Sequence, residues 1–244
     1  MIRQTPGLST ISLASVPLEQ HWPVPPAPVL AFMELEQDAY FSQLSPSDVR
    51  MYIRSSMEWG EQAAQKNPYD GQLIDLINRL IAGGIRVRFL DHASPRIETR
   101  AQYRGKPPTI DIYRPSIKQL AHFFERFEYR VSSDDLVALH LTHEWFHHLE
   151  IHTIGRTDRT LPKVPVKRWG PFTRRDYVGK TREIAAHAFA QRSLGLSWYP
   201  TLLDHLLLYM EKGWSKTQIR EHFQHVKQRY HKLIQSEQGS DEKM

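Results

Sequence analysis

Cysteine is absent from this 244-residue sequence, which excludes disulfides and thiolate metal sites and leaves the redox compartment undetermined. Long apolar runs are missing too: none approaches the roughly 18 residues of a membrane-spanning helix. The first 31 residues hold one Arg and a broken, Ser-rich apolar stretch in place of a contiguous signal core. These absences predict a soluble, cytoplasmic protein with no membrane partner. Neither sign of charge dominates, since 32 Lys and Arg against 27 Asp and Glu give +5 with histidine neutral. That basic excess leaves a nucleic-acid partner open, but no recognition motif accompanies it. No internal repeat is evident, and nothing in the sequence addresses oligomeric state.

Histidine, by contrast, is plentiful at 13 residues, and His143-Glu144-Trp145-Phe146-His147 spells H-E-x-x-H. Residues i and i+4 of a helix lie one turn apart on one face, with Cβ atoms roughly 6 Å apart. Two imidazoles so placed can close on one Zn²⁺ at about 2.0–2.1 Å. Glu144 falls beside the pair, where a carboxylate can serve as general base toward a water activated by the metal. The surrounding sequence supports a helix. Ser132-Ser133-Asp134-Asp135 supplies an N-cap and an acidic first turn, residues 136–151 contain no Pro or Gly, and Gly155 follows as a stop. At 100° per residue, Ala138, Leu141, Thr142, Trp145 and Leu149 form one largely apolar face. His143 and His147 share the other with Leu136, Leu139, His140, Phe146 and Glu150, so the helix is expected to be packed on both sides.

A zinc hydrolase needs three protein ligands and an open position. Without cysteine the third must be His, Asp or Glu. Glu150 shares the face, but His143 to Glu150 spans about 10.5 Å of helix rise, too far for one ion. His140 fails likewise with respect to His147, and His148 points elsewhere. The better candidate is Glu183, in Thr181-Arg182-Glu183-Ile184-Ala185-Ala186-His187-Ala188-Phe189-Ala190. Four alanines there favour a helix and permit close approach to a neighbour. His187 lies one turn beyond Glu183, where a partner of a ligand or of the substrate would stand.

H-E-x-x-H followed by E-x-x-A-x-x-F-A resembles the gluzincin metallopeptidases, in which two helices supply His, His and Glu. Among them it looks most like the group of the anthrax lethal factor catalytic domain and the Pro-Pro endopeptidases. The resemblance implies a zincin-like metallopeptidase fold, α+β and mainly helical, with a small sheet packed beside the active-site helix. It implies Zn²⁺ on His143, His147 and Glu183, Glu144 as catalytic base, and a peptide or protein substrate. These relatives also carry a Tyr that stabilises the oxyanion, seven residues before the Glu; Tyr177 lies six before Glu183. Tyr177 is therefore the first candidate for that donor and His187 the second. The relatives are secreted, whereas this chain shows no export signal, and no Pro-Pro preference is carried over. A second resemblance is to the ImmA/IrrE metallopeptidases, typically cytoplasmic, whose ligand helices lie closer in sequence than His147 and Glu183.

Around this centre the chain divides into an N-terminal extension over 1–31, expected to be flexible, one domain over 32–236, and a polar tail over 237–244. Residues 23–28 (PVPPAP) read as an extended linker. Residues 32–84 read as helices (32–44, 46–66 and 70–82), with Leu73, Ile74, Ile77, Leu80 and Ile81 inward. Residues 85–115 read as a sheet, with strands at 85–90, 96–103 and 109–113. Helices over 116–127, 202–212 and 215–234 complete the catalytic part at 116–236.

Between Arg156 and Arg182, nine Lys and Arg against two Asp give a local +7 within a stretch whose Pro and Gly predict mostly loop. It joins the two ligand helices and must pass near the cleft. The residues together predict a zinc-dependent peptidase. The alternative is a zinc-containing regulator with narrow or no peptidase activity, binding a repressor or nucleic acid through this basic segment.

Overall fold

The computed structural model describes residues 10–94 and 99–235. The chain enters through a short strand β1 (Thr10–Ile11), paired in parallel with a later strand β5 (Arg130–Val131). Leu13, Val16, Leu18 and Trp22 are then buried, and the Leu13 N–H donates to Asp135 Oδ2 at 2.7 Å. The expectation of a flexible extension through residue 31 is thereby corrected from residue 10 onward. Those four apolar residues follow neither helix nor strand spacing, so only their packing partners reveal them as core. Trp22, for example, meets Phe123 and Phe127 at ring-centroid distances of 6.3 and 5.4 Å.

Helix α1 spans Ala27–Leu35, earlier than the expected 32–44. Pro26 caps it and Pro28 sits in its first turn, where a fixed φ and a missing N–H suit helix initiation. The end of the presumed linker is thus a helix start. Helix α2 (Pro46–Lys66) opens on a capping box in which Ser45 and Asp48 exchange hydrogen bonds. Helix α3 (Leu73–Ala82) buries Leu76 and Leu80, while Ile74 and Ile81 stand 61% and 57% exposed. Those two isoleucines, expected inward, form a second row that nothing among the described residues covers.

A three-stranded sheet follows, in the order β2 (Arg86–Leu90), β4 (Pro108–Tyr113), β3 (Ala101–Gly105). Strand β4 pairs in parallel with β2 and antiparallel with β3. The strand expected over 96–103 begins at Ala101; residues 96–98 lie outside the described residues. Ile110 and Ile112 are fully buried on central β4. Asp111, on its other face, is buried as well and accepts from Arg88 at 2.7 Å and Arg104 at 2.6 Å. Among the described residues strand β3 is an edge, and it packs against the helix that carries His143 and His147.

Helix α4 (Arg114–Glu125) leads through β5 to helix α5 (Ser133–His152), which carries the H-E-x-x-H residues. After a single turn α6 (Thr157–Thr160), the basic segment forms an antiparallel ribbon, β6 (Val164–Trp169) and β7 (Phe172–Asp176). This corrects the expected loop: Val164 and Val166 of β6 turn toward the core, but Pro165 between them and the exposed, charged β7 mask the alternation. Helices α7 (Thr181–Leu194), α8 (Thr201–Glu211) and α9 (Lys216–Gln235) complete a mainly helical α+β architecture. One apolar core runs from Leu13 to Tyr230. The tail at 237–244 lies outside the described residues. No helix among the described residues is long and apolar enough to cross a membrane.

The position of α7 depends on its contact with α2. Ser56, Gly60, Ala63 and Ala64 are buried along α2, and a Cβ on Gly60 would lie 2.1 Å from the Ala185 carbonyl oxygen. Only glycine admits that approach. Gly60→Ala is expected to cost about 3 kcal/mol, at the upper end for overpacking, because backbone rather than a flexible side chain must yield. Urea denaturation measures this; unchanged stability would show that the helices separate freely.

Candidate metal centre

Helix α5 is nearly all core. Leu136, Leu139, Leu141, Thr142, Trp145, Phe146 and Leu149 are buried around it, and the Thr142 hydroxyl returns to the Ala138 carbonyl at 2.8 Å. This two-sided packing, expected from the sequence, holds the histidine face rigid. Helix α7 crosses it with Phe189 against Trp145 and Phe146, its buried alanines permitting close approach of neighbouring helices. The crossing delivers Glu183 to His143 and His147.

Ligand atoms of three residues converge there, two imidazole nitrogens and both oxygens of one carboxylate. His143 Nε2 lies 3.3 Å from His147 Nε2 and 3.3 Å from Glu183 Oε2, and His147 Nε2 lies 3.5 Å from Glu183 Oε1. A tetrahedron with metal–ligand bonds of about 2.05 Å has edges of roughly 3.3–3.4 Å. These spacings, which run to the two Glu183 oxygens in turn, suit one small divalent ion with nitrogen and oxygen donors. The three residues form a triangular group that could hold a metal, one ligand atom of each lying within 4.8 Å of the others.

Glu150, rejected as a ligand on distance, sits directly behind the triangle. Its Oε2 accepts from His147 Nδ1 at 3.1 Å and from Arg182 Nε at 2.9 Å. Its Oε1 accepts from the Thr157 N–H at 2.8 Å and hydroxyl at 2.6 Å. A proton on His147 Nδ1 leaves Nε2 free to face the triangle, the usual arrangement behind a ligating histidine. Burial alone would raise the Glu150 pKa, but bonds to His147 and Thr157 and the charge of Arg182 hold it below the ordinary value. Burial likewise opposes charge on His147, yet hydrogen bonds to Glu150 and Glu183 raise it to about 10. Against its own burial, Glu183 is held well below the carboxylate range by His143 and His147. The centre thus favours positive charge, whether a proton or a cation.

Glu144 faces the same space. Its Oε2 accepts the Tyr103 backbone N–H from edge strand β3 at 2.7 Å. Two cavities open on the triangle. One, of about 200 Å³, is bounded by Arg100, His140, His143, Glu144, Glu183 and His187. The other, of about 570 Å³, runs along Ala101, Gln102, Tyr103 and Gly105 to Glu144, His147 and Glu183. The His187 ring centroid lies 4.4 Å from that of His143. Its Nδ1 is buried with no hydrogen-bond partner among the described residues, and burial pushes its pKa well down. Tyr177 lies elsewhere: its ring is covered by Lys163 Nζ at 4.3 Å, and it lines neither cavity.

The structure therefore brings His143, His147, Glu183, Glu144 and His187 together and leaves Tyr177 apart. Sequence reasoning missed Glu150 as the support of His147, although its place on the histidine face was visible. It also missed Tyr103, whose contact with Glu144 runs through the backbone and leaves no mark on residue identity.

Removing the Glu150 charge should loosen the centre without dismantling it. Glu150→Gln is expected to weaken metal binding at this centre about 10–100-fold, read by competition with a chromophoric chelator, while the centre still fills at saturation. Glu183→Ala should abolish the tight equivalent; its full retention would remove Glu183 from the ligand set. No family profile, curated protein or solved structure matches the chain, so the gluzincin and ImmA/IrrE-like resemblances rest on the motif residues themselves.

Proposed function

We propose that this chain is a zinc-dependent peptidase with a zincin-like site, its zinc held by His143, His147 and Glu183. The observation that carries the reading is the convergence of His143, His147 and Glu183, with ligand atoms within 4.8 Å of one another and Glu144 on the rim. The all-N/O donor set suits zinc, and two His with one Glu is a donor set of catalytic rather than structural zinc sites. When bound, zinc supplies a Lewis acid that polarises a carbonyl and lowers the pKa of a water toward roughly 7.

The remaining chemistry belongs to the chain. Glu144 takes a proton from the attacking water and returns it to the leaving amine. The Tyr103 N–H steadies the carboxylate for both transfers. Glu150 orients His147. His187, beside His143, offers an imidazole N–H to the developing oxyanion, in preference to Tyr177, whose ring is engaged with Lys163. The substrate lies extended along the free edge of β3, whose residues line the larger cavity up to Glu144.

Glu144→Gln is expected to keep one zinc per chain and lose about 10³-fold in turnover of a peptide library, as removal of a general base does. Cleavage at the wild-type rate would sink the mechanism. His187→Phe should lower kcat by roughly 10²-fold, the effect of one oxyanion donor, and Tyr177→Phe should leave it unchanged. The reverse pattern would return the role to Tyr177.

One observation favours a regulatory reading. The β6–β7 ribbon exposes Lys167, Arg168, Arg174 and Arg175 together with Phe172, a surface that suits an anionic partner such as nucleic acid. If that partner is DNA, affinity falls steeply with salt; a flat response excludes it and leaves the peptidase reading alone.

A further inference from the structure

A second histidine pair lies on α5, turned away from the first. His148 and His152 stand at i and i+4 with ring centroids 4.4 Å apart. Their nitrogens converge on one oxygen: the Tyr103 phenol lies 3.1 Å from His148 Nδ1 and 3.0 Å from His152 Nε2. His152 is exposed and His148 and Tyr103 are half-buried, so the cluster is open to solvent on one side.

We infer that Tyr103, His148 and His152 form a second divalent-metal site, one that takes a borderline cation such as Zn²⁺. The i, i+4 spacing gives both imidazoles reach to one ion. Imidazole suits zinc, copper and nickel ahead of calcium or magnesium, which prefer oxygen cages. The edges from the phenol oxygen to the two nitrogens approach the roughly 3.3 Å expected around a tetrahedral ion. On binding, each imidazole donates a lone pair and the phenol proton leaves to solvent, with water completing the coordination. This site is weaker than the inner one, by about 10–100-fold, because no carboxylate among the described residues orients either ring.

The site has a consequence for the inner one. Tyr103 holds Glu144 through its backbone N–H while its side chain is held by the two histidines. A cation that draws in the phenol oxygen moves the β3 edge, and with it the donor that steadies Glu144. Excess zinc then slows turnover. This consequence, unlike the site itself, rests on the peptidase reading.

Zinc titration of the full chain, followed by metal analysis after rapid desalting and by near-ultraviolet difference absorption, tests the proposal. The wild type should take up a second, weaker equivalent accompanied by a tyrosinate band. Tyr103→Phe, which keeps the backbone N–H, should lose the band and weaken the second step. His148→Ala/His152→Ala should lose that step altogether, and with it the slowing by excess zinc. Glu183→Ala should lose the tight equivalent yet keep the weak one, so failure of the inner site is distinguishable from failure of the outer. Uptake of a second equivalent by the double histidine variant as by the wild type, or no second equivalent in the wild type, overturns the site. Slowing by excess zinc that persists in the double variant overturns the coupling.

Discussion

The fully buried carboxylate of Glu150 is the constraint around which the centre is built. An unpaired charge there would be prohibitive, and breaking a buried pair costs several kcal/mol. The chain answers with partners from three directions: His147 on α5, Thr157 at the start of α6, and Arg182 in the first turn of α7. One group therefore pins together both ligand helices and the turn between them. Arg182 directly precedes Glu183, so whatever fixes Arg182 on Glu150 also fixes where the third ligand begins.

A second constraint acts from the opposite side of α7. The approach of α2 at Gly60 presses the Ala185 backbone toward α5, and the Tyr199 hydroxyl closes on the Ile184 carbonyl at 2.6 Å. Helix α7 is thus held by backbone contact behind and by an ion pair in front. Its alanines make this possible, since larger side chains would force the helices apart and carry Glu183 out of reach. Rigidity of this kind is what a ligand triangle with 3.3–3.5 Å edges requires.

The parts legible in the sequence are those set by helical periodicity. The H-E-x-x-H pair, the two-sided packing of α5 and the alanine-rich helix bearing Glu183 all follow from spacing within one element. Much of the rest depends on what lies across a contact. The same spacing places Ile74 and Ile81 inward with Leu80, but Leu80 and the unexpected Leu76 are the ones that find a surface to cover. Pro26 and Pro28 suit an extended linker and a helix start equally well, and the packing of Val29, Leu30 and Ala31 decides between them. The β6–β7 ribbon escaped because only Val164 and Val166 turn to the core, too short an alternation to stand out among the prolines and charges around it. Tyr177 entered by resemblance alone, and a shift of one residue in register accompanies a different environment, under Lys163.

The two histidine pairs on α5 show how far spacing can carry an assignment. Both stand at i, i+4 on the same helix, and as sequence they are equivalent chelates. What separates them is surroundings. The inner pair faces a carboxylate from α7 and is oriented by a second, buried one, which together stabilise a cation strongly enough to hold His147 protonated to about pH 10 without metal. The outer pair faces a neutral phenol and solvent, so it lacks the negative charge that concentrates a cation. Identical spacing along the helix thus meets two carboxylates on one face and a neutral phenol on the other. The difference is written in Glu150 and Glu183, neither of which belongs to the H-E-x-x-H stretch.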